Sequence, residues 1–447
     1  MFPASLEKIL FLTLLFLLSA LAGGEFRIAA TTDIHGNLRN FARLYPKIRA
    51  AAPDITIDAG DLTGGSMAAE LDGGKAMIAA LNMAKYTFRV PGNHDFDMPY
   101  IDFQAQHSSF KGTTLGGDWS WKDTAGLPYA IVSKGAFKVG VIGLTEPNIE
   151  RRHLPLSDGP RFIKWRKALL RALDSLRREK VHFTILVWHN GIETPTFGAK
   201  ESLSGIGGID LVIGGHSHQE YLGASEEGIF FVQPGAYGKA AALVTVRYND
   251  TTLKAEKTES RLLRGNGEYG DREMTALDRR TFKSLVGRIC KKVCRKGDLS
   301  LRNFPRLGAQ ALKEAGRTQG AVFVPMRPGR EMENYSMFKD LYRLTPFWST
   351  LCTVTLRKGE LQELLEDLDR NNPQFKRVTG VAGFQWSPGK KNLPGKITLT
   401  VSTYLMVSSP VLRKILHEPV KRWHHLGIPE REAVELFLQK RLNSFNR

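Results

Sequence analysis

Five short apolar runs in the first half of this 447-residue chain lead, within a few residues, into aspartate, asparagine or histidine, and this pattern restricts the fold more than any other feature. The runs at 28–31, 55–59, 86–90, 181–188 and 211–213 are rich in β-branched or aromatic residues, as buried strands are, and 137–144 is similar. Helical periodicity lies between several of them, most clearly at 37–52, 74–83 and 161–179. Strands alternating with helices predict a mixed α/β layered fold, in which ligands collect at the carboxyl ends of the strands. Behind the five runs stand Asp33-Ile34-His35-Gly36-Asn37, Gly60-Asp61, Gly92-Asn93-His94-Asp95-Phe96-Asp97, Trp188-His189-Asn190 and Gly214-Gly215-His216-Ser217-His218. The glycines permit tight turns and close backbone approach.

One histidine after one strand is ordinary. Five ordered clusters, each at a strand end and none in a helix, read as a metal site. Of the eleven histidines, His35, His94, His189, His216 and His218 fall in these clusters. His107, His153, His182, His417, His424 and His425 lack a second candidate ligand nearby and read as ordinary. Carboxylates among imidazoles suit zinc, manganese or iron rather than soft copper chemistry. No Ser-His-Asp or Cys-His arrangement competes for the chemistry.

The ordered set Asp-x-His, Gly-Asp, Gly-Asn-His, lone His and Gly-His-x-His resembles the calcineurin-like metallophosphoesterases. Thr32-Asp33-Ile34-His35-Gly36 and Gly92-Asn93-His94-Asp95-Phe96-Asp97 are similar to the 5'-nucleotidase family of that superfamily, including the bifunctional UDP-sugar hydrolase/5'-nucleotidase type. There the second motif usually reads Gly-Asn-His-Glu-Phe-Asp, so Asp95 replaces the Glu; it reads here as solvated or capping. The resemblance covers roughly residues 25 to 250 and implies an α/β fold, a four-layer αββα sandwich followed by a smaller α+β substrate-binding domain. It also implies two divalent metal ions, one held by Asp33, His35, Asp61 and His218, the other by Asp61, Asn93, His189 and His216, with Asp61 bridging. His94 and Asp97 would form a catalytic dyad in which Asp97 orients the imidazole and His94 stabilises the transition state or protonates the leaving oxygen. Two such ions, two ionised carboxylates and a bridging hydroxide leave a charge of about +1, which attracts a phosphate ester, and the hydroxide would attack phosphorus in line.

The second half is chemically different. The formal charge is +18, but residues 25–260 hold 27 Lys and Arg against 26 Asp and Glu, whereas 261–447 hold 35 against 18. This step suggests a catalytic domain at 25–260, a linker at 261–278 containing three glycines between Arg264 and Asp271, and a basic, divergent carboxyl-terminal domain at 279–447. Hydrophobic residues at 42% and charged residues at 24% exclude wholesale disorder and a multi-span membrane protein. A helix is expected at 304–315. The run from Lys339-Asp340-Leu341-Tyr342 through Leu364-Leu365-Glu366 is similar to the family's substrate domain. Two nucleoside-recognition motifs depart from it. Val324-Pro325-Met326-Arg327-Pro328-Gly329-Arg330 stands where Asn-x-Gly-Gly-Ile-Arg is usual, leaving Arg327 and Arg330 as candidate substrate contacts. Met406-Val407-Ser408-Ser409-Pro410 stands in place of the loop that carries a base-stacking ring.

Residues 279–306 contain ten Lys and Arg and one acid, Asp298. They form either a solvated basic helix face, an electrostatic funnel for anions, or a face that docks on an acidic envelope surface. No nucleic-acid-binding signature accompanies them. Cys290 and Cys294 share helical spacing with Phe282, Leu285, Val286, Ile289 and Val293, which predicts core packing; with Cys352 they are the only cysteines, too few for a disulfide framework.

The first residues look like a secretory signal: an apolar run at 9–18, then Ser19-Ala20-Leu21-Ala22 with small-x-small spacing. Cleavage near Ala22 and export to a periplasm are expected, with an uncleaved anchor as the alternative. The first functional reading is an exported binuclear-metal phosphoesterase acting on a small phosphorylated substrate, nucleoside 5'-monophosphates foremost. An alternative keeps the metals but takes phosphodiesters, nucleotide-sugar pyrophosphates or a non-nucleotide phosphate. A third, a non-catalytic anion-binding envelope protein, sits poorly with an intact ligand set and dyad.

Overall fold

The computed structural model describes residues 23–444, apart from 157, 196, 266, 268, 269, 301, 302, 326–335, 346, 347, 371–379, 383–393, 419 and 420. The strand Gly24–Thr31 shows how the layers arise. Phe26, Ile28 and Ala30 face a core shared with Ile57, Val141, Ile185, Ile213 and Val244, while Ala29 faces the opposite layer with Phe41, Leu44, Ile78 and Leu81. This is the period-two alternation of a strand buried on both sides.

A six-stranded sheet runs in the order Ala255–Arg264, Ala240–Tyr248, Gly24–Thr31, Ile55–Asp58, Phe88–Arg89, Thr113–Thr114. A second runs Glu220–Ala224, Phe230–Pro234, Leu211–Gly214, Phe183–Trp188, Phe137–Leu144, Tyr129–Lys134. Gly24–Thr31 is parallel to Ile55–Asp58 with Ile28 opposite Ile55, and Phe183–Trp188 is parallel to both of its neighbours. Outside the second sheet, Ile142, Leu144, Leu186 and Trp188 meet Leu169, Leu173 and Leu176 of the helix Trp165–Arg178. Outside the first lies the helix Leu38–Ala50, capped by Asn37 and burying Phe41, Leu44 and Ile48 at helical spacing. Helix, sheet, sheet and helix give the four layers. The helix expected at 161–179 starts at Trp165 because Arg161–Phe162 pairs with Trp119–Trp121.

The second half is smaller and mixed. Its five-stranded sheet runs Gly380–Ala382, Gly320–Phe323, Lys396–Ser402, Thr350–Arg357, Trp423–Pro429, and the helix Phe304–Gly316 packs on it. Of the stretch 261–278, the first four residues finish the strand Ala255–Arg264, and from Arg272 the chain is already in the helix Arg272–Ile289. That helix lies against the first half, with Arg49 paired to Asp271 at 2.7 Å and Arg39 to Asp278 at 3.6 Å.

The stripe expected to bury Cys290 is corrected. The helix buries Met274, Asp278 and Leu285. Phe282 is 52% exposed and Val286 38%, because the buried face of the helix runs through Met274, Asp278 and Leu285 and leaves them outside. Cys290 is exposed at the helix end; Val293 and Cys294 are buried, but beyond it. All three cysteines are free.

A buried ion pair ties the halves together. Glu70, on the short helix Met67–Asp72, accepts from Tyr342 Oη at 2.7 Å and from Arg431 Nη1 at 2.6 Å. The Arg431 guanidinium also lies 4.1 Å from the centre of the Tyr342 ring and donates from Nε to the Thr345 carbonyl at 3.0 Å. Met67 and Leu71 on the same helix pack into the core of the second half beside Leu341 and Leu344. Replacing Arg431 by Met leaves a buried carboxylate unpaired, so urea unfolding of Arg431→Met is expected to show a loss of about 3–5 kcal/mol. Adding Glu70→Gln removes the unpaired charge and should restore part of that loss.

Candidate active site

Because the strands bearing the Asp, Asn and His clusters run in the same direction within their sheets, their carboxyl ends open at one edge. Backbone hydrogen bonds lock the first two loops together: Asp33 N to Gly60 O at 2.8 Å, His35 N to Asp61 O at 2.9 Å and Gly36 N to Leu62 O at 2.8 Å. Asp95, expected to be solvated or capping, is buried and not solvated. Its carboxylate accepts from Gly92 N at 2.9 Å, Leu62 N at 3.4 Å, and Thr63 N and Oγ1 at 3.0 and 2.8 Å, so it clips the second loop to the third. A Cβ on Gly92 would stand 2.2 Å from Asp61 Oδ1, which is why the chain needs glycine there.

Asp33, His35, Asp61, His216 and His218 all adopt positive φ, between 48° and 69°. Side chains rarely do so, and each such residue costs about 1–3 kcal/mol that the surrounding hydrogen bonds must offset. The result is convergence. Asp33, His35 and His218 form one group and Asp61, His189 and His216 another, with the potential ligand atoms of each within 4.8 Å of one another. His35 Nδ1 lies 2.7 Å from the Gly64 carbonyl, which turns Nε2 toward His218 Nε2 at 3.0 Å and Asp61 Oδ2 at 3.8 Å. His218 Nε2 is 3.4 Å from Asp33 Oδ1. Asn93 Oδ1 lies 2.9 Å from His216 Nδ1, and the His216 backbone N–H donates to both Asp33 carboxylate oxygens at 3.1 and 3.0 Å.

His189 tests whether a cation fits. Its Nδ1 donates to the Ala59 carbonyl at 2.7 Å, and its fully buried Nε2, 3.3 Å from Asp61 Oδ2, has no hydrogen-bond partner. A metal-binding imidazole is held in this way, with the far nitrogen on a carbonyl and the near one free. The field agrees. Burial opposes charge on His189, yet Asp61 and Asp33 outweigh it and lift the imidazole to about 10; burial likewise opposes charge on Asp61, but His189, His94 and His35 hold its carboxyl below the usual range. The pocket therefore calls for positive charge, and its carboxylate, imidazole and amide oxygen donors suit zinc, manganese or iron.

Next to these groups, His94 Nδ1 lies 2.6 Å from Asp97 Oδ2, and the His94 backbone N–H donates to Asp61 Oδ1 at 2.8 Å. Burial works against charge on His94, but the Asp97 hydrogen bond and the Asp61 charge overcome it and raise the imidazole to about 9. His94 and Asp97 line a cavity of about 980 Å³ that Trp348, Tyr404 and Arg413 close from the second half. Glu146 and Arg152, which no motif marks in the sequence, also line it, as does His153, which reads as ordinary there. Their one signal was a sixth strand, Phe137–Leu144, ending two residues before a glutamate. Met406–Pro410, which stands in place of the ring-bearing loop, ends the helix Thr403–Ser408 and starts the helix Pro410–Leu416, and its Val407 and Ser408 line the cavity. Arg327, Arg330 and the signal-like segment lie outside the described residues.

Comparison with known proteins accords with this arrangement. Residues 26–220 match the calcineurin-like phosphoesterase family. The chain is 26% identical over 444 residues to the trifunctional nucleotide phosphoesterase protein YfkN of Bacillus subtilis, covering 76% of this chain but only 30% of that protein's length. It is 22% identical over 408 residues to protein UshA of Yersinia enterocolitica, covering 76% of this chain and 72% of UshA. In fold it is similar to the 5'-nucleotidase precursor of Thermus thermophilus, with a TM-score of 0.67 at 16% identity over 93% of this chain and 96% of that one. Residues 26–220 thus match a calcineurin-like phosphoesterase domain, in a chain that is similar in sequence to nucleotide phosphoesterases and 5'-nucleotidases.

Proposed function

We propose that this protein is a metal-dependent phosphoric ester hydrolase, with nucleoside 5'-monophosphates as its first substrate class. The observation that carries the reading is the convergence of two Asp-His-His groups, one with an orphaned buried imidazole nitrogen, beside the His94–Asp97 pair. Asp33, His35, Asp61 and His218 would hold one divalent ion and Asp61, Asn93, His189 and His216 a second. When bound, such ions supply Lewis-acid polarisation of phosphoryl oxygens and acidify water. The chain's own residues do the rest. Asp97 fixes the His94 ring and favours its charged form, and a charged His94 lining the cleft can donate to a phosphoryl or leaving-group oxygen. A nucleotide-sized ligand fits a cavity of this volume, with Trp348 and Tyr404 among its aromatic lining.

A second reading, in which the substrate is a diester, a nucleotide-sugar pyrophosphate or a non-nucleotide phosphate, draws support from the helix ends that occupy Met406–Pro410 in place of a ring-bearing loop. We also take the apolar run at 9–18 and Ala22 as an export signal, which mass measurement of the mature amino terminus tests.

Metal analysis of the purified protein should find about two divalent ions per chain, and His189→Ala should lower that number. With manganese or zinc, release of phosphate from AMP is expected to exceed turnover of UDP-glucose, a cyclic nucleotide and bis-p-nitrophenyl phosphate; turnover of the diester alone would move the assignment to the second reading, and none on any substrate would favour a non-catalytic anion binder. His94→Ala should retain its metal but lose on the order of a hundredfold in turnover. Equal activity in metal-loaded variant and parent would refute the role of the dyad.

A further inference from the structure

Arg152 enters the cleft from the first half and is held there by an acid that has no other evident task. It ends the short 3-10 turn Ile149–Arg152, which follows the strand Phe137–Leu144. Its Nε lies 3.0 Å from Glu146 Oε1 and 2.8 Å from Oε2. Glu146 is nine-tenths buried, and its Oε1 is 3.8 Å from His216 Nε2, so the ion pair stands at the edge of the second Asp-His-His group. The two Nη groups of Arg152 make no hydrogen bond among the described residues, and the side chain is half exposed, on the cavity wall shared with Asn93, His94 and His216.

Geometry of this kind is how a protein aims a guanidinium. The single Nε–H is directed at a buried carboxylate, which restricts the rotamers of a long side chain, and the two Nη groups are left to bind an oxyanion. The other acids on the cavity wall do not compete. Asp97 is engaged with His94, and Asp158 makes no ion pair with Arg152. Arg151, the preceding residue, also lines the cavity but makes no ion pair among the described residues.

We infer that Arg152 is a substrate-binding residue that grips the non-bridging oxygens of the phosphoryl group, that Glu146 is its positioning residue, and that together they favour phosphomonoester dianions over diester monoanions. The inference rests on the phosphoesterase reading for its substrate and on the Glu146–Arg152 geometry for its residues. An added positive charge near the reacting phosphorus gains more from a doubly charged ester than from a singly charged one. A diester also presents fewer free oxygens to a two-pronged donor.

The test uses the full-length, manganese-loaded protein, its Arg152→Gln variant, and the Glu146→Gln/Arg152→Gln pair, which leaves no buried carboxylate unpaired should the single variant fold poorly. Affinity for inorganic phosphate, read by calorimetry, and kcat/KM for AMP should each fall about 10- to 100-fold in both variants, as expected for loss of a hydrogen bond to a charged group. The fall for bis-p-nitrophenyl phosphate should be several times smaller. Glu146→Gln alone should raise KM for AMP with little change in kcat, the mark of a donor that has lost its aim. Unchanged phosphate affinity in both Arg152 variants, no phosphate binding by the parent, or equal losses for the two ester classes would each overturn the inference. If the parent hydrolyses no ester, the phosphoesterase reading fails, and phosphate affinity still decides the role of Arg152 by itself.

Discussion

The apolar layer between the two sheets is the constraint on which the candidate site depends. Phe26, Ile28 and Ile57 on one side and Val141, Ile185 and Ile213 on the other are almost wholly excluded from solvent, each such side chain stabilising the fold by about 1.5–3 kcal/mol. That layer holds the sheets face to face, so loops leaving parallel strands of both sheets meet above a common edge. Asp33 then links the sheets directly. It follows a strand of the first, and its carboxylate receives the backbone N–H of His216 from the second.

Above that edge the chain accepts conformations it avoids elsewhere. Five residues with positive φ, buried carboxylates and a buried imidazole nitrogen without a partner stand within one small volume. None of these stabilises the fold by itself. Asp95, with its four hydrogen bonds to neighbouring loops, and the close approach at Gly92 hold them in place. Such preorganisation fixes donor atoms before any cation arrives, so binding need not also order the loops.

The basic second half divides into cations with structural partners and cations on an open helix face. Arg288 with Glu435, Arg422 with Glu360 and Glu418, and Arg431 with Glu70 are part of its internal framework or of the seam between halves. Arg279, Arg280 and Lys283 lie on the exposed side of the helix Arg272–Ile289, beside the exposed Phe282. Net charge alone could not separate these groups, because an ion pair and two solvated charges contribute the same sum.

The sequence by itself determined the strands, most of the helices and the residues at the strand ends, because period-two and helical alternation are local and glycine, aspartate and histidine in loops are conspicuous. It placed Asp33, Asp61, Asn93, His94, His189, His216 and His218 at the ends of buried strands. It misjudged Phe282 and Cys290, and of the two alternatives for Asp95 the solvated one fails because Leu62 and Thr63, from another loop, bury its carboxylate. Glu146 and Arg152 are only six residues apart, yet nothing local shows that the arginine turns into the cleft. Only the tertiary structure decided which clusters meet, since His35 and His218 are separated by 183 positions and brought to 3.0 Å by the packing of two sheets. Burial, the orphaned nitrogen of His189 and the open edge of Arg152 are properties of that packing, and hydrophobic pattern specifies the layers without specifying what faces what across them.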